Sequence, residues 1–79
     1  MTEKYIGFVK TLFHDRGYGF IRTEEGEEYF FHSSGVIPEF SALKEGHRVE
    51  FMLVPEEKGP RAIGIRIVDE FMSLPVGGV

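Results

Sequence analysis

Apolar and polar side chains alternate with a period of two in five short segments of this 79-residue chain. Successive side chains of a β-strand point to opposite faces, so this period indicates strands with one buried face. The predicted strands are 5–12, 18–23, 28–32, 48–54 and 61–68. No stretch shows the 3.6-residue period of an amphipathic helix. The chain is therefore predicted to be all-β.

The connections between these strands favour a barrel. Gly26 supplies the positive φ of a tight hairpin between the second and third strands. The segment 33–46 is a longer connection, in which Pro38 interrupts any helix and leaves room for one short turn near 33–36. Five short strands joined in this way predict a closed or nearly closed barrel without free sheet edges. We expect one domain over 5–70, followed by a mobile tail at 71–79.

The composition limits how the barrel is stabilised and where it works. The chain has no Cys, so neither disulfides nor thiolate–metal sites can support the fold, and an apolar core must do so. It contains no apolar run of 18 residues and no signal-peptide pattern. We therefore expect a cytoplasmic protein without a membrane partner.

Catalysis and metal binding are not expected. Several side chains are of catalytic type: His14, Asp15, His32, Ser33, Ser34 and His47. They form no nucleophile-elbow pattern and are not accompanied by paired buried carboxylates. No two His residues have the i, i+4 spacing of a helical metal site. We predict a protein that is not an enzyme and that carries no cofactor or metal.

The alternation leaves aromatic rings outside the barrel. It directs four side chains inward, namely those at Gly19, Ile21, Tyr29 and Phe31. Their neighbours then point outward on adjacent strands: Tyr18, Phe20, Phe30 and His32. Cross-strand neighbours lie roughly 4.5–5.5 Å apart at Cβ, so these rings should form one platform. Gly17 and Gly19 are expected to leave room beside Tyr18 for a flat ligand. Unpaired nucleic-acid bases fit such a surface, each contributing about 1–3 kcal/mol.

The net charge of −4 counts against phosphate binding unless positive charge is concentrated locally. Basic side chains are predicted on the platform face or its rim: Lys10, Arg16, Arg22, Lys58 and Arg61. The carboxylates are expected elsewhere, at the hairpin tip 24–28 and at 56–57. A strand register shifted by one residue would bury the rings, but it would also bury Arg22 and His32.

Two motifs carry a resemblance to a known family. Arg16-Gly17-Tyr18-Gly19-Phe20-Ile21 resembles the first nucleic-acid-binding motif of cold-shock domains, and Tyr29-Phe30-Phe31-His32 resembles the second. Lys58-Gly59-Pro60-Arg61-Ala62 is similar to that family's Arg-Gly-Pro-Gln-Ala loop. RNA-recognition-motif domains share the first motif, but they carry the two motifs in the opposite order and contain two helices. The resemblance extends over about 7–68.

The resemblance implies a five-stranded antiparallel OB-type (Greek-key) barrel that binds single-stranded DNA or RNA with little sequence preference. It implies binding roles at eight positions: Lys10, Arg16, Tyr18, Phe20, Phe30, His32, Phe40 and Lys58. Arg61 joins this set from its predicted place on the rim. A monomer or a weak dimer is expected, with a further role as an RNA chaperone that holds strands unpaired.

The chain also departs from the family pattern. Thr11 and Ser33 replace usual aromatic residues, so two stacking positions are missing. Phe13 replaces a usual Asn and either takes over part of the lost stacking or covers the barrel end. Phe8 replaces a usual outward Lys. The alternative function is therefore a protein-interaction or dimerisation module on the same barrel, because exposed apolar patches often mark interfaces.

Overall fold

The computed structural model describes residues 3–69, which form a closed barrel of five strands. The strands are β1 (Tyr5–Phe13), β2 (Tyr18–Arg22), β3 (Glu28–His32), β4 (Arg48–Val54) and β5 (Arg61–Asp69). Two short 3-10 turns, Ser33–Gly35 and Phe40–Ala42, lie between β3 and β4. The predicted all-β barrel is confirmed; β3 and β4 have the predicted ends, and β1, β2 and β5 each differ by one residue at the C-terminal end. The predicted tail at 71–79 lies outside the described residues.

The strands follow the order β1-β2-β3-β5-β4 around the barrel. All neighbouring pairs are antiparallel except β3 and β5, which run parallel where Phe30 and Phe31 meet Arg61 and Ala62. Alternating strand directions cannot close a ring with an odd number of members, so one parallel contact is unavoidable. The OB-type barrel that the resemblance implies is confirmed, and it is antiparallel except for this one parallel contact.

The barrel interior is filled by inward side chains from every strand. The buried apolar residues are Val9, Ile21, Phe31, Val36, Leu43, Val49, Phe51, Ala62 and Ile65. Val36 and Leu43 come from the connection between β3 and β4. Tyr29 packs against this core, which confirms the predicted inward faces of β2 and β3.

A bulge in β1 changes which side chains face outward. Val9 pairs with Ile21 and Thr11 pairs with Phe20, so Lys10 is an extra residue between them. The inward positions after the bulge are therefore reversed, and Leu12 packs against the core. The alternation in the sequence predicts that Leu12 points outward, and this prediction is wrong because of the bulge. Thr11 and Phe13 instead share the outer face with the rings of β2.

A second irregularity lies where β4 meets β5. Glu50 pairs with Arg66 but Met52 pairs with Ile63, so the register shifts between them, and Gly64 has a φ of 61°. Ile63 is half-buried and stands outside the core cluster, unlike Ile65. The alternation in the sequence predicts that Ile63 is a core residue, and this prediction is wrong because strict alternation fails at the bulge.

Candidate nucleic-acid interface

Four aromatic rings form a continuous surface on the outer face of β1, β2 and β3, and we call this surface the platform. Its members are Phe13, Tyr18, Phe20 and Phe30. The ring of Tyr18 lies at its centre, with centroids 4.9 Å from Phe13, 5.6 Å from Phe30 and 6.1 Å from Phe20. Phe20 and Phe30 are 5.9 Å apart. These separations fall within the range of interacting aromatic pairs.

The strand register brings these rings together. Phe20 lies directly opposite Phe30 on β3, and Phe13 lies directly opposite Tyr18 on β2. Phe30 keeps 39% of its surface exposed and Phe13 keeps 36%. Large rings with this exposure can contact a flat ligand while they also contact one another.

The two glycines beside Tyr18 serve the backbone and the core. A Cβ on Gly19 would lie 2.5 Å from the Thr11 carbonyl oxygen and 2.8 Å from the Phe31 ring, which is fully buried. The missing side chain of Gly19 therefore makes room for the core, and the predicted clearance for a ligand was wrong there. Gly17 has a φ of 77° in the turn before β2, a conformation that favours glycine.

His32 stands across from Tyr18 and its side chain is exposed. The backbone N–H of Ser34 donates to His32 Nδ1 at 3.1 Å, and Ser34 Oγ lies 3.0 Å from the same nitrogen. A neutral ring that accepts at Nδ1 carries its proton on Nε2. Nε2 has no partner within residues 3–69, so it is free to donate to a base or phosphate oxygen.

Two small residues stand where the resemblance implies aromatic ones, and they border the platform. Thr11 lies opposite Phe20 on β2. Ser33 follows β3, and its backbone N–H donates to the Gly17 carbonyl oxygen at 2.8 Å. Both side chains are half-buried and small. The ring surface therefore ends at Phe13 and Phe20 on one side and at His32 on the other.

Carboxylates lie within the basic rim, contrary to the predicted separation of charges. Glu28 Oε2 accepts from Lys10 Nζ at 2.6 Å and lies 3.4 Å from Arg22 Nη1. Glu56 Oε2 lies 3.1 Å from Arg61 Nη2. Sequence reasoning missed Glu28 and Glu56 because both belong to acidic runs that were assigned to loops and the hairpin tip.

The ion pair with Lys10 also changes the pKa of the Glu28 carboxyl. The hydrogen bond from Lys10 is the largest factor that lowers the pKa of Glu28, and the charges of Lys10 and Arg22 add to it, while desolvation opposes them. Because the pKa of Glu28 is lower in the folded protein, this ion pair stabilises the fold at pH values above the ordinary pKa of a Glu carboxyl. That contribution to folding stability is lost as the pH falls through the lowered pKa. At neutral pH, Glu28 is therefore charged and competes with phosphate for Lys10.

The other predicted site residues take different positions. Arg16 and Lys58 are exposed and form no ion pair within the described chain. Arg61 is in register with Phe30, next to the platform. Phe40 packs edge-on against His14 at 5.1 Å and lies 6.4 Å from the core ring of Phe31. Its ring therefore covers the barrel end instead of joining the platform.

Replacing Glu28 with glutamine should strengthen nucleic-acid binding at low salt by about two- to tenfold, because it releases two exposed cations. Each released cation that contacts a phosphate should steepen the dependence of log K on log salt by roughly 0.7. Binding of a dT hexamer at several salt concentrations measures both effects. Glu50→Gln is the matched control, since Glu50 pairs with Lys4 away from the platform. Equal changes in both variants would contradict a local role for Glu28.

Comparisons with known proteins agree with this geometry. A family model described as "'Cold-shock' DNA-binding domain" matches residues 5–68, which include all five strands except the last residue of β5. The chain belongs to the cold-shock domain family. A "Cold shock-like protein" of Thermotoga maritima is 42% identical over 64 residues, covering 80% of this chain and 97% of that protein. A "Cold shock-like protein" of Aquifex aeolicus is 41% identical over 68 residues, covering 84% and 97% respectively.

A solved structure shares the cold-shock domain fold at lower identity. The structure titled "drosophila Unr CSD456" superposes with a TM-score of 0.72 and 26% sequence identity. The match covers 85% of this chain but 27% of that longer chain. Among residues 3–69, no helix has the length and apolar character that crossing a membrane requires. Nor do these residues bring three His, Asp or Glu side chains together as metal ligands.

Proposed function

We propose that this cold-shock domain binds single-stranded DNA or RNA by stacking bases on the platform. The observation that carries the proposal is the contact of four partly exposed rings, in which Phe13, Phe20 and Phe30 surround Tyr18. Every base has a π-face, so stacking tolerates different sequences and requires unpaired bases. A duplex hides these faces, and the proposed ligand is therefore a single strand.

The rim supplies the contacts to phosphates. Arg16 and Lys58 are exposed without ion pairs in the described residues, so they can bind phosphate without first breaking a salt bridge. Lys10 and Arg61 must exchange a carboxylate for a phosphate. We propose that this exchange, together with the small residues Thr11 and Ser33, reduces affinity and salt dependence. The domain 5–70 is the proposed binding unit, acting without catalysis.

The three tyrosines allow a direct test by fluorescence. Tyr18 is on the platform, whereas Tyr5 and Tyr29 pack on Phe51 and donate to Glu3 and Glu27. Titration with a dT hexamer should quench the Tyr18 emission, and added salt should reverse the quenching. Tyr18→Phe should retain binding by an independent assay while losing most of the quenching. If a large excess of the hexamer neither binds nor quenches the Tyr18 emission, the proposal is refuted.

Phe13 is proposed to take over part of the missing stacking surface. Its ring lies 4.9 Å from Tyr18 and is 36% exposed, and it does not belong to the core cluster. Phe13→Ala should weaken dT hexamer binding by about 1–3 kcal/mol with little change in melting temperature. Unchanged affinity, or unfolding of the variant, would show that Phe13 only covers the barrel end.

We further propose that the domain acts as an RNA chaperone. A protein that binds only the open strand shifts a hairpin equilibrium by mass action, by about 2.7 kcal/mol at a hundred times the dissociation constant. A weak RNA hairpin should therefore melt at a lower temperature in the presence of saturating protein. Unchanged melting under conditions where a single strand of the same sequence binds would contradict this role.

A further inference from the structure

A cleft separate from the platform lies between the first half of β1 and the tip of the β2–β3 hairpin. Its volume is about 940 Å³. The residues that determine its chemistry are Tyr5, Ile6, Phe8, Glu24, Glu25 and Glu27. The proposed binding function leaves this surface without a role.

The floor of the cleft is apolar and open. Ile6 is 46% exposed and Phe8 is 40% exposed, and both point outward from β1. Neither Phe8 nor Ile6 is a member of the platform or of the core cluster. Neighbouring exposed apolar side chains that form the floor of a cleft are typical of a docking surface for another molecule.

The hairpin tip gives the cleft a negative wall. Glu24 and Glu25 form no ion pair or hydrogen bond within residues 3–69. Glu27 accepts a hydrogen bond from the Tyr29 hydroxyl at 2.8 Å, which is the largest factor that raises the pKa of Tyr29. Arg48 is the single basic residue among those that line the cleft. Three carboxylates against one guanidinium repel a polyanion and attract cations.

The strand pairing changes along the cleft floor. Residues 5–8 of β1 pair with β4, whereas the pairing of β1 with β2 begins only at Phe8. The β1 edge at 5–7 therefore faces the hairpin tip without a paired strand. The side chains there offer apolar contact at Ile6 and Phe8 and carboxylates for cations at the hairpin tip.

We propose that this cleft docks a segment of a partner protein in which Lys or Arg residues alternate with aliphatic or aromatic residues. Charge complementarity with Glu24, Glu25 and Glu27 selects the basic residues, and the exposed Ile6 and Phe8 select the apolar ones. The surface is separate from the platform, so a basic partner and a single strand can be held at the same time.

Binding of a labelled nine-residue peptide that alternates Lys with Leu and Phe tests the proposal. Changes in NMR amide shifts should be concentrated at 5–8 and 23–27. The double variant Glu24→Gln, Glu25→Gln should weaken binding about two- to twentyfold, because it removes two exposed charge pairs. Ile6→Ser should weaken it about three- to tenfold through lost apolar contact.

Matched controls separate this site from general attraction to an acidic protein. Glu56→Gln with Glu57→Gln makes the same charge change at another loop, and Ile37→Ser alters a comparably exposed apolar residue. Both should leave peptide affinity within about twofold. A peptide with Gln in place of Leu and Phe should bind much more weakly to the unaltered protein.

Several outcomes would overturn the proposal. One is an equal loss of affinity in the controls, and another is the absence of shifts at Ile6 with saturating peptide. Shifts at Ile6 that depend on protein concentration without peptide would assign the cleft to a second copy of the chain. Shifts there with a dT hexamer, larger than those on the platform, would assign it to nucleic acid.

Discussion

Replacing Phe30 with alanine should weaken binding of a dT hexamer by about 1–3 kcal/mol, roughly five- to 150-fold, while the barrel stays folded. Phe30 contacts both Tyr18 and Phe20, so its removal takes away one of the four rings and the support that it gives to two others. Its side chain is 39% exposed and does not belong to the core cluster. The melting temperature should therefore change far less than the affinity.

Phe8→Ala is the matched control for this prediction. Phe8 has nearly the same exposure, 40%, but lines the cleft beside the hairpin tip. Loss of the Phe8 ring should change the affinity for the hexamer less than twofold. It should instead weaken binding of the basic peptide that is proposed to occupy the cleft. Fluorescence or calorimetric titration of both ligands against both variants measures the contrast. Similar losses of hexamer affinity in Phe30→Ala and Phe8→Ala would argue against a localised stacking surface.

Gly19→Ala should destabilise the barrel by about 1–3 kcal/mol, although the residue stands between two platform rings. The added Cβ would lie 2.5 Å from the Thr11 carbonyl oxygen and 2.8–2.9 Å from two carbons of the Phe31 ring. Neither the paired backbone of β1 nor a fully buried ring can move away easily. For a domain of this size, each kcal/mol lowers the melting temperature by about 4–8 °C.

Gly35→Ala is the control for this effect. Its added Cβ would meet no atom closer than 3.4 Å, so overpacking should be small. Thermal unfolding followed by circular dichroism compares the two variants. A stable Gly19→Ala protein with reduced hexamer affinity would contradict the core role and would restore a role for Gly19 in ligand clearance.

Much of the fold follows from the alternation itself. In β2 and β3, inward Ile21 and Phe31 alternate with outward Phe20 and Phe30, and the structure confirms each of them. These strands are short, are paired without irregularity and are joined by a tight turn at Gly26. A regular hairpin of this kind can be predicted because local pattern and tertiary packing agree.

The irregular parts could not be predicted in the same way. The bulge at Lys10 reverses the faces of Leu12 and Phe13, and the register shift near Gly64 removes Ile63 from the core. Both depend on how neighbouring strands bend to close the barrel. The outward position of Phe13 follows from the first of these bulges.

The electrostatics of the rim also depend on the folded structure. Glu28 lies 18 residues from Lys10 in the sequence, and only strand pairing places their side chains 2.6 Å apart. A count of basic residues therefore overestimates the positive charge that is available to phosphate. This pairing, with Thr11 and Ser33, is why we expect the domain to bind with moderate affinity.

The central claim is that single strands bind on the platform and not in the cleft. The most direct measurement is an NMR titration of the full chain with a dT hexamer. The account predicts that the largest amide shifts occur at 18–20 and 30–32, with small shifts at 5–8 and 23–27. Shifts concentrated around the cleft, or no shifts at saturating hexamer, would contradict it.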